Sequence, residues 1–224
     1  MWFILIQRIR YNNPLDSCRK KRRKCFLENV DVLSKIAYAL RVIAIPPIMA
    51  TVLILLVWVN GQAITTVYEL IASFIFLVVI PVAAYPVSYL VPKIRKGGRK
   101  AQRSLAFWFA GFGYIYGIVG HKSQGLNFIY LTYLLSVLLL AVVNRFSKTR
   151  ASGHACSAIW PVVIACYYYK LIGAVIGIAI YSAVFWCSLT TKRHTAGEFL
   201  LGTFTCIIAA SISALLIFVL KLPL

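Results

Sequence analysis

Acidic residues are scarce in this chain. Its 224 residues include 24 lysines and arginines but only five aspartates and glutamates, together with three histidines. The two aspartates, Asp16 and Asp31, both precede the first long apolar segment. Carboxylate oxygens are the ligands that Mg²⁺ prefers in proteins. The scarcity therefore argues against membrane enzymes that hold Mg²⁺ with clustered aspartates, and we expect neither a metal ion nor a cofactor.

Charge of any kind is also rare, at 13% of residues, while 61% of the residues are hydrophobic. Short segments of alternating hydrophobicity, as in membrane β-barrels, are not seen. The long apolar runs predict an all-α, polytopic transmembrane helical bundle of six to seven spans. We assign residues 1–35 to a basic N-terminal arm and 36–224 to a single transmembrane domain. The predicted spans are 36–59, 64–92, 105–120, 126–143, 155–169, 171–188 and 197–220.

The basic residues are distributed unevenly between the two ends of these spans. Residues 1–35 carry nine lysines and arginines and 93–103 carry six, whereas the loops at the opposite end hold only Lys122, Lys170 and Lys221. The positive-inside rule predicts a multi-pass cell-membrane protein whose N-terminus faces the cytoplasm. A net charge of +19 could also indicate nucleic acid. Because the charge lies in loops between apolar spans, we expect anionic membrane lipids as partners and no nucleic acid.

Two of the histidines stand at the start of predicted spans that are separated by one excursion across the membrane. His154 opens the fifth span and His194 precedes the seventh, so the chain returns to the same membrane face between them. His194 and Glu198 are four residues apart and share one helix face. The carboxylate can accept the Nδ1–H of the imidazole and leave Nε2 as a nucleophile. The alternative is an ordinary interfacial His–Glu contact.

His154 and its neighbours complete a candidate phosphoryl-transfer site. A protonated His154 could donate to the leaving oxygen while His194 attacks phosphorus. Gly153 would let the backbone approach a phosphate at the helix start, although Ser152-Gly153-His154 could also be a simple turn with a helix cap. Cations near the two histidines would neutralise the phosphate oxygens; they are Lys148, Arg150, Lys192 and Arg193. Each of these cations could equally be a positive-inside loop charge.

These residues resemble the motifs of the type 2 phosphatidic acid phosphatase family, which includes lipid phosphate phosphatases and polyprenyl diphosphate phosphatases. The family motif P-S-G-H is similar to Ala151-Ser152-Gly153-His154, with alanine for proline. The motif S-R-x5-H-x3-D resembles the stretch ending in His194 and Glu198, with glutamate for aspartate. Cys187-Ser188 stands where that motif has Ser-Arg, and no K-x6-R-P motif occurs. The resemblance is to a compact, divergent branch similar to archaeal members.

The resemblance implies a role for each candidate residue. His194 would become phosphohistidine, His154 would assist the leaving group, Glu198 would orient His194, and Ser152 and Gly153 would bind phosphate. The implied function is metal-independent hydrolysis of a lipid phosphate or prenyl (di)phosphate, a phosphoric monoester or acid-anhydride hydrolase activity. The alternatives are a lipid phosphotransferase and a non-catalytic structural subunit of a membrane complex. The family's site usually faces outward, whereas the charge distribution here predicts cytoplasmic site loops.

Overall fold

The computed structural model is helical over most of the residues that it describes. Those residues are 32–40, 42–61, 63–120, 123–147, 149–192 and 194–220. The described ranges contain no β-strand, and their long helices pack side by side. The predicted all-α helical bundle is confirmed. The N-terminal arm up to residue 31 lies outside the described residues.

The helices begin and end close to the predicted spans. In chain order we number them α1 Pro46–Asn60, α2 Val67–Leu90, α3 Pro92–Lys96, α4 Gly98–Gly120, α5 Gln124–Phe146, α6 Gly153–Tyr167, α7 Tyr169–Thr190 and α8 Ala196–Val219. Helices α2 and α8 each contain a π-helical stretch, at Ile75–Val79 and Leu215–Val219. The first predicted span, 36–59, is interrupted rather than continuous: the described residues 32–40, 42 and 43 are also helical, and the chain turns at Ala44 and Ile45 before α1 begins. The cause is Pro46, which fits the first helical turn but not a helix interior.

Four helices, α2, α5, α7 and α8, are long and apolar enough to cross a membrane, judged by length and composition. Helices α1 and α6 are apolar but shorter. Helix α4 has 23 residues; its cationic first turns and its glycines and tyrosines lower its hydropathy below that of the four. These properties are those of a membrane protein.

Helices α6 and α7 form a tight antiparallel hairpin. The chain reverses at Lys170, whose φ of 49° is in the left-handed region. A Cβ atom at Gly173 would collide with the carbonyl oxygen of Ala165, and one at Gly177 would come within 2.9 Å of Val162. The two glycines thus let the α7 backbone lie directly against α6. The hairpin returns the chain to the end of the bundle at which α6 began.

The remaining helices close the bundle around this hairpin. Helix α1 packs on the hairpin, α2 on α4, α4 on α5, and α5 on α8, which also contacts the hairpin. Two glycines of α4 let neighbouring helices approach closely. A Cβ at Gly113 would lie 2.7 Å from the Phe76 carbonyl oxygen, and one at Gly117 would enter the Tyr130 ring.

Candidate active site

His194 and Glu198 make the contact that their spacing predicts. The Nδ1 atom of His194 lies 3.3 Å from Oε2 of Glu198, and about a quarter of each side chain is exposed. A hydrogen bond at Nδ1 fixes the tautomer in which Nε2 carries the lone pair. The geometry therefore leaves Nε2 of His194 as the nitrogen with a free lone pair.

Glu198 also belongs to a capping box at the start of α8. Thr195 is the N-cap residue: its backbone N–H donates to Glu198 Oε2 at 3.0 Å, and its Oγ1 accepts from the Glu198 N–H at 3.2 Å. This reciprocal arrangement satisfies backbone donors that the first helical turn leaves unpaired. One carboxylate oxygen thus contacts both the imidazole of His194 and the backbone of Thr195.

The starts of α6 and α8 are joined through backbone atoms. The N–H of Ser152 donates to the carbonyl oxygen of Glu198 at 3.0 Å. Gly202, one turn further along α8, lies so close that a Cβ there would collide with the Ser152 carbonyl oxygen. Both histidine-bearing segments consequently meet at one end of the bundle. The predicted return of the chain to that end is the arrangement found.

Ser152 itself acts as the N-cap of α6. Its side chain is fully buried, and its Oγ accepts from the backbone N–H of Ala155 at 3.3 Å. Gly153 follows as the first helical residue and is exposed, and His154 is partly exposed in the same turn. The Ser157 hydroxyl donates to the His154 carbonyl oxygen at 3.0 Å. Ser152 therefore caps the helix, as the simpler interpretation of Ser152-Gly153-His154 predicts. The cap leaves Gly153 and His154 at the accessible surface of the helix start.

The loop before α6 brings a cation to the same place. Arg150 is exposed and lies two residues before Ser152, whose backbone N–H donates to the Glu198 carbonyl oxygen. The next residue, Ala151, donates its N–H to Oδ1 of Asn144 at 2.7 Å, which fixes the loop to the end of α5. Sequence reasoning missed this role of Asn144, because a lone asparagine at the end of a span carries no recognisable pattern.

A second cation comes from the loop between α7 and α8. Lys192 is exposed, and its φ of 49° places it in the left-handed region, which turns the chain toward α8. Lys148 and Arg193 lie outside the described residues. Ser188, at the position of the family's arginine, is buried. Of the four predicted cations, Arg150 and Lys192 are thus the two that the structure places at this end.

Two helix N-termini and an apolar floor shape the site. The first turns of α6 and α8 both point their N–H groups toward this end, which favours an anion there. Beneath them Phe199 is fully buried against Ala155 and Ala158. Its ring packs edge-on against Tyr181 and Phe185, with centroids 5.5 and 5.1 Å apart. These side chains form an apolar layer beneath the two helix starts.

Glu69 offers a comparison within the same chain. Thr66 and Glu69 form a second capping box at the start of α2, and Thr65 donates both its N–H and its hydroxyl to Glu69 Oε2, at 2.8 and 3.0 Å. Thr66 also donates its N–H to this oxygen, at 3.1 Å, and among the described residues no histidine belongs to this arrangement. The T-x-x-E pattern is visible at both places in the sequence and could have predicted both caps. Only the second pattern is preceded by a histidine.

Among the residues that the structure describes, no three histidines, cysteines or carboxylates are grouped as they would be to hold a metal ion. No protein-family model, no curated protein and no solved structure matches this chain. The resemblance to the type 2 phosphatidic acid phosphatases therefore stays a prediction from short motifs. The function is argued below from the chain's own residues.

Proposed function

We propose that this protein is a membrane-embedded phosphatase that hydrolyses a lipid phosphate or prenyl (di)phosphate through a phosphohistidine intermediate. The observation that carries the proposal is the backbone hydrogen bond from Ser152 to Glu198. It holds the start of α6, with His154, against the start of α8, where Glu198 contacts His194. Two imidazoles and a carboxylate in adjoining helix turns are the groups that the reaction needs.

In the first step, Nε2 of His194 attacks phosphorus. A P–N bond forms as the bond from phosphorus to the leaving oxygen breaks, and protonated His154 donates its proton to that oxygen. The positive charge that develops on the His194 ring is stabilised by the Glu198 carboxylate at Nδ1. The products of this step are the dephosphorylated lipid alcohol, or a prenyl monophosphate, and phosphohistidine.

In the second step, water attacks the phosphohistidine. Neutral His154 now accepts a proton from the water, the P–N bond breaks, and inorganic phosphate leaves. His194 returns to its neutral form and His154 to its protonated form, so the cycle closes. If the acceptor were the hydroxyl of a second lipid or a sugar, the same residues would perform phosphotransfer, which is the second candidate reaction.

Phosphate binding is assigned to cations and to backbone donors. Arg150 and Lys192 supply positive charge from the two loops, and Lys148 and Arg193, outside the described residues, belong to the same loops. Gly153 has nothing within 4 Å of where a Cβ would stand, so a phosphate can approach its backbone. Ser152, with its hydroxyl in the helix cap, contributes by holding Gly153 in place.

The site loops are proposed to face the cytoplasm. The nine basic residues of 1–35 and the six of 93–103 would otherwise have to cross the membrane. These segments would also attract anionic lipid headgroups. A cytoplasmic site would act on newly made lipid phosphates.

A structural subunit without catalysis is the rival function, and one observation favours it. The Glu198 carboxylate has a sufficient role in the capping box, as Glu69 has at the start of α2. In that case the His194 contact would be incidental. The two functions differ in whether His194 is needed for phosphate release.

The deciding experiment is a phosphate-release screen of the purified protein in lipid micelles. Phosphatidate, lysophosphatidate and prenyl mono- and diphosphates are offered with and without EDTA. We expect release from at least one of them in EDTA, its loss in a His194→Ala variant, and inhibition by orthovanadate, whose bipyramidal adduct resembles the transition state. Release that stops in EDTA and returns with a divalent ion would reject the mechanism. Release by His194→Ala at the wild-type rate would reject the site.

A further inference from the structure

A cavity of about 340 Å³ lies between α1 and the α6–α7 hairpin. Its volume is in the range of ligand pockets, about 300–1,000 Å³. Helix α1 lines it with Met49 and Leu56, α6 with Pro161, and α7 with Ile172 and Ile176. The lining side chains are all apolar except Tyr169. The cavity therefore offers no group that would hold a charged or strongly polar ligand.

Tyr169 lines the cavity beside the turn between α6 and α7. The hydroxyl of this residue donates to the carbonyl oxygen of Leu56 at 3.3 Å, so the side chain reaches from the hairpin across to α1. The hydroxyl of Tyr169 is thereby already paired, and the other lining side chains among the described residues are apolar. Apolar side chains line the cavity along its length, and the hydrogen bond to Leu56 holds the Tyr169 side chain in position beside the turn.

The position of the cavity along α6 relates it to the histidines. Pro161 lies seven residues after His154 on the same helix, which at 1.5 Å per residue is about 10 Å deeper. Tyr169 lies beside the turn at Lys170, at the end of the hairpin opposite to His154. The cavity therefore lies along the part of α6 that begins about 10 Å beyond the helix start with His154, among apolar residues suited to the hydrocarbon core.

We infer that this cavity binds the hydrocarbon chain of the lipid phosphate whose headgroup reacts at His194. The inference rests on the proposed function and extends it to substrate selection. A lipid phosphate has a charged head and an apolar chain, and α6 presents a cationic helix start followed by an apolar cavity in the same order. Because Tyr169 crosses from the hairpin to α1 beside the turn, we expect it to limit the length of chain that the cavity accepts. Substrates with long chains gain contacts that short ones lack, which gives selection by chain length.

Two matched variants on α7 test this. Ile176 lines the cavity, whereas Ile178 does not; both are similarly exposed outside the bundle core, at 54% and 58%. Ile176→Trp fills the cavity with a larger side chain, and Ile178→Trp places the same ring on another face of the helix. The kcat/KM values for dioleoyl and dioctanoyl phosphatidate, and for geranylgeranyl and geranyl diphosphate, are measured in mixed micelles.

We expect the wild-type protein to prefer the longer member of a pair. Ile176→Trp should reduce this preference by about tenfold or more while retaining release from the short substrate, and Ile178→Trp should leave the preference unchanged. A preference that survives Ile176→Trp, or one that both variants reduce equally, would overturn the inference. If phosphate is still released from the short substrate in that case, the proposed phosphatase function stands and only the role of the cavity is rejected.

A binding experiment tests the cavity even if no turnover is detected. Phosphatidate and phosphatidylcholine, each carrying a diazirine at the chain end, are photolysed with the protein and the labelled peptides are mapped. We expect labelling of α1 and α7 at the cavity by phosphatidate, reduced in Ile176→Trp but not in Ile178→Trp. Equal labelling by phosphatidylcholine would identify the occupant as bulk membrane lipid and overturn the inference, as would phosphatidate labelling elsewhere.

Discussion

At the scale of single residues, the Glu198 carboxylate contacts both the imidazole of His194 and the backbone N–H of Thr195. A substitution that affects only one of these contacts distinguishes a catalytic role from a structural one. A glutamine can replace glutamate in a capping box, because its oxygen still accepts from the Thr195 N–H. It cannot stabilise a positive charge on His194. Glu198→Gln therefore keeps the helix start and removes the charge, so we expect phosphate release to fall about 10²–10⁴-fold with little change in melting temperature.

Glu69→Gln is the matched control for that change. It alters the same residue type in the same kind of capping box, at the start of α2, without a histidine. We expect this variant to release phosphate at the wild-type rate, as measured with the same substrate. Equal rates in the wild type and both variants would show that the His194–Glu198 contact serves structure alone.

His154 is expected to matter in proportion to how poor the leaving group is. An alkoxide leaves only if it is protonated, whereas a nitrophenolate leaves without help. His154→Ala should therefore lower release from phosphatidate about 10²–10⁴-fold but much less from p-nitrophenyl phosphate. The measurement is kcat/KM for both substrates. Equal losses would assign His154 to binding rather than to proton transfer.

At the scale of helices, the contact between α6 and α8 depends on the absence of a side chain at Gly202. A leucine there would meet the backbone of Ser152, which has no alternative rotamer, so the two helix starts would have to separate. We expect Gly202→Leu to lower the free energy of unfolding by roughly 1–3 kcal/mol and to abolish phosphate release. Thermal unfolding in detergent measures the first effect.

Gly197→Ala provides the comparison for that substitution. Gly197 lies in the first turn of the same helix, and nothing stands within 4 Å of the position of an added Cβ. Alanine also favours the helix more than glycine. We expect this variant to be at least as stable as the wild type and fully active. A Gly202→Leu protein as stable and active as Gly197→Ala would contradict the close approach.

The helices could be predicted from the sequence because long apolar runs determine them directly. The turn at Lys170 was located by the change from one run to the next, and the i, i+4 spacing predicted the contact of His194 with Glu198. The link from Ser152 to Glu198 could not be predicted, since it joins backbone atoms that every residue has. The break before α1 was not predicted, because the apolar run continues through Ala44, Ile45 and Pro46 without a change in composition.

At the scale of the whole molecule, the distribution of basic residues predicts that the N-terminus and the site loops face the cytoplasm. Cysteines introduced one at a time at Gly97 and Thr149, in a protein without its own cysteines, should be protected from a membrane-impermeant thiol reagent in intact cells. A cysteine at Gln124, at the other end of α5, should react. The reason is that translocating the fifteen basic residues of 1–35 and 93–103 is opposed by the positive-inside bias.

Permeabilised cells serve as the control, because all three cysteines should then react. The reverse pattern in intact cells, with Thr149 labelled and Gln124 protected, would place the site outside. The substrates would in that case be lipid carriers released at the outer face rather than newly made lipids.

The turn at Lys170 is a place where the chain could be divided into two fragments that still associate. His154 precedes it and His194 follows it, so a cut there leaves one of the two candidate-site histidines on each fragment. Gly173 and Gly177 stay on the second fragment and keep the α7 surface that packs on α6. Two separately translated fragments, each inactive alone, could insert into the membrane independently and then associate through the contact of α6 with α7. Co-expression of fragments divided at this turn should then restore phosphate release that neither fragment has alone. The restored release would measure how far α6 and α7 associate in the membrane.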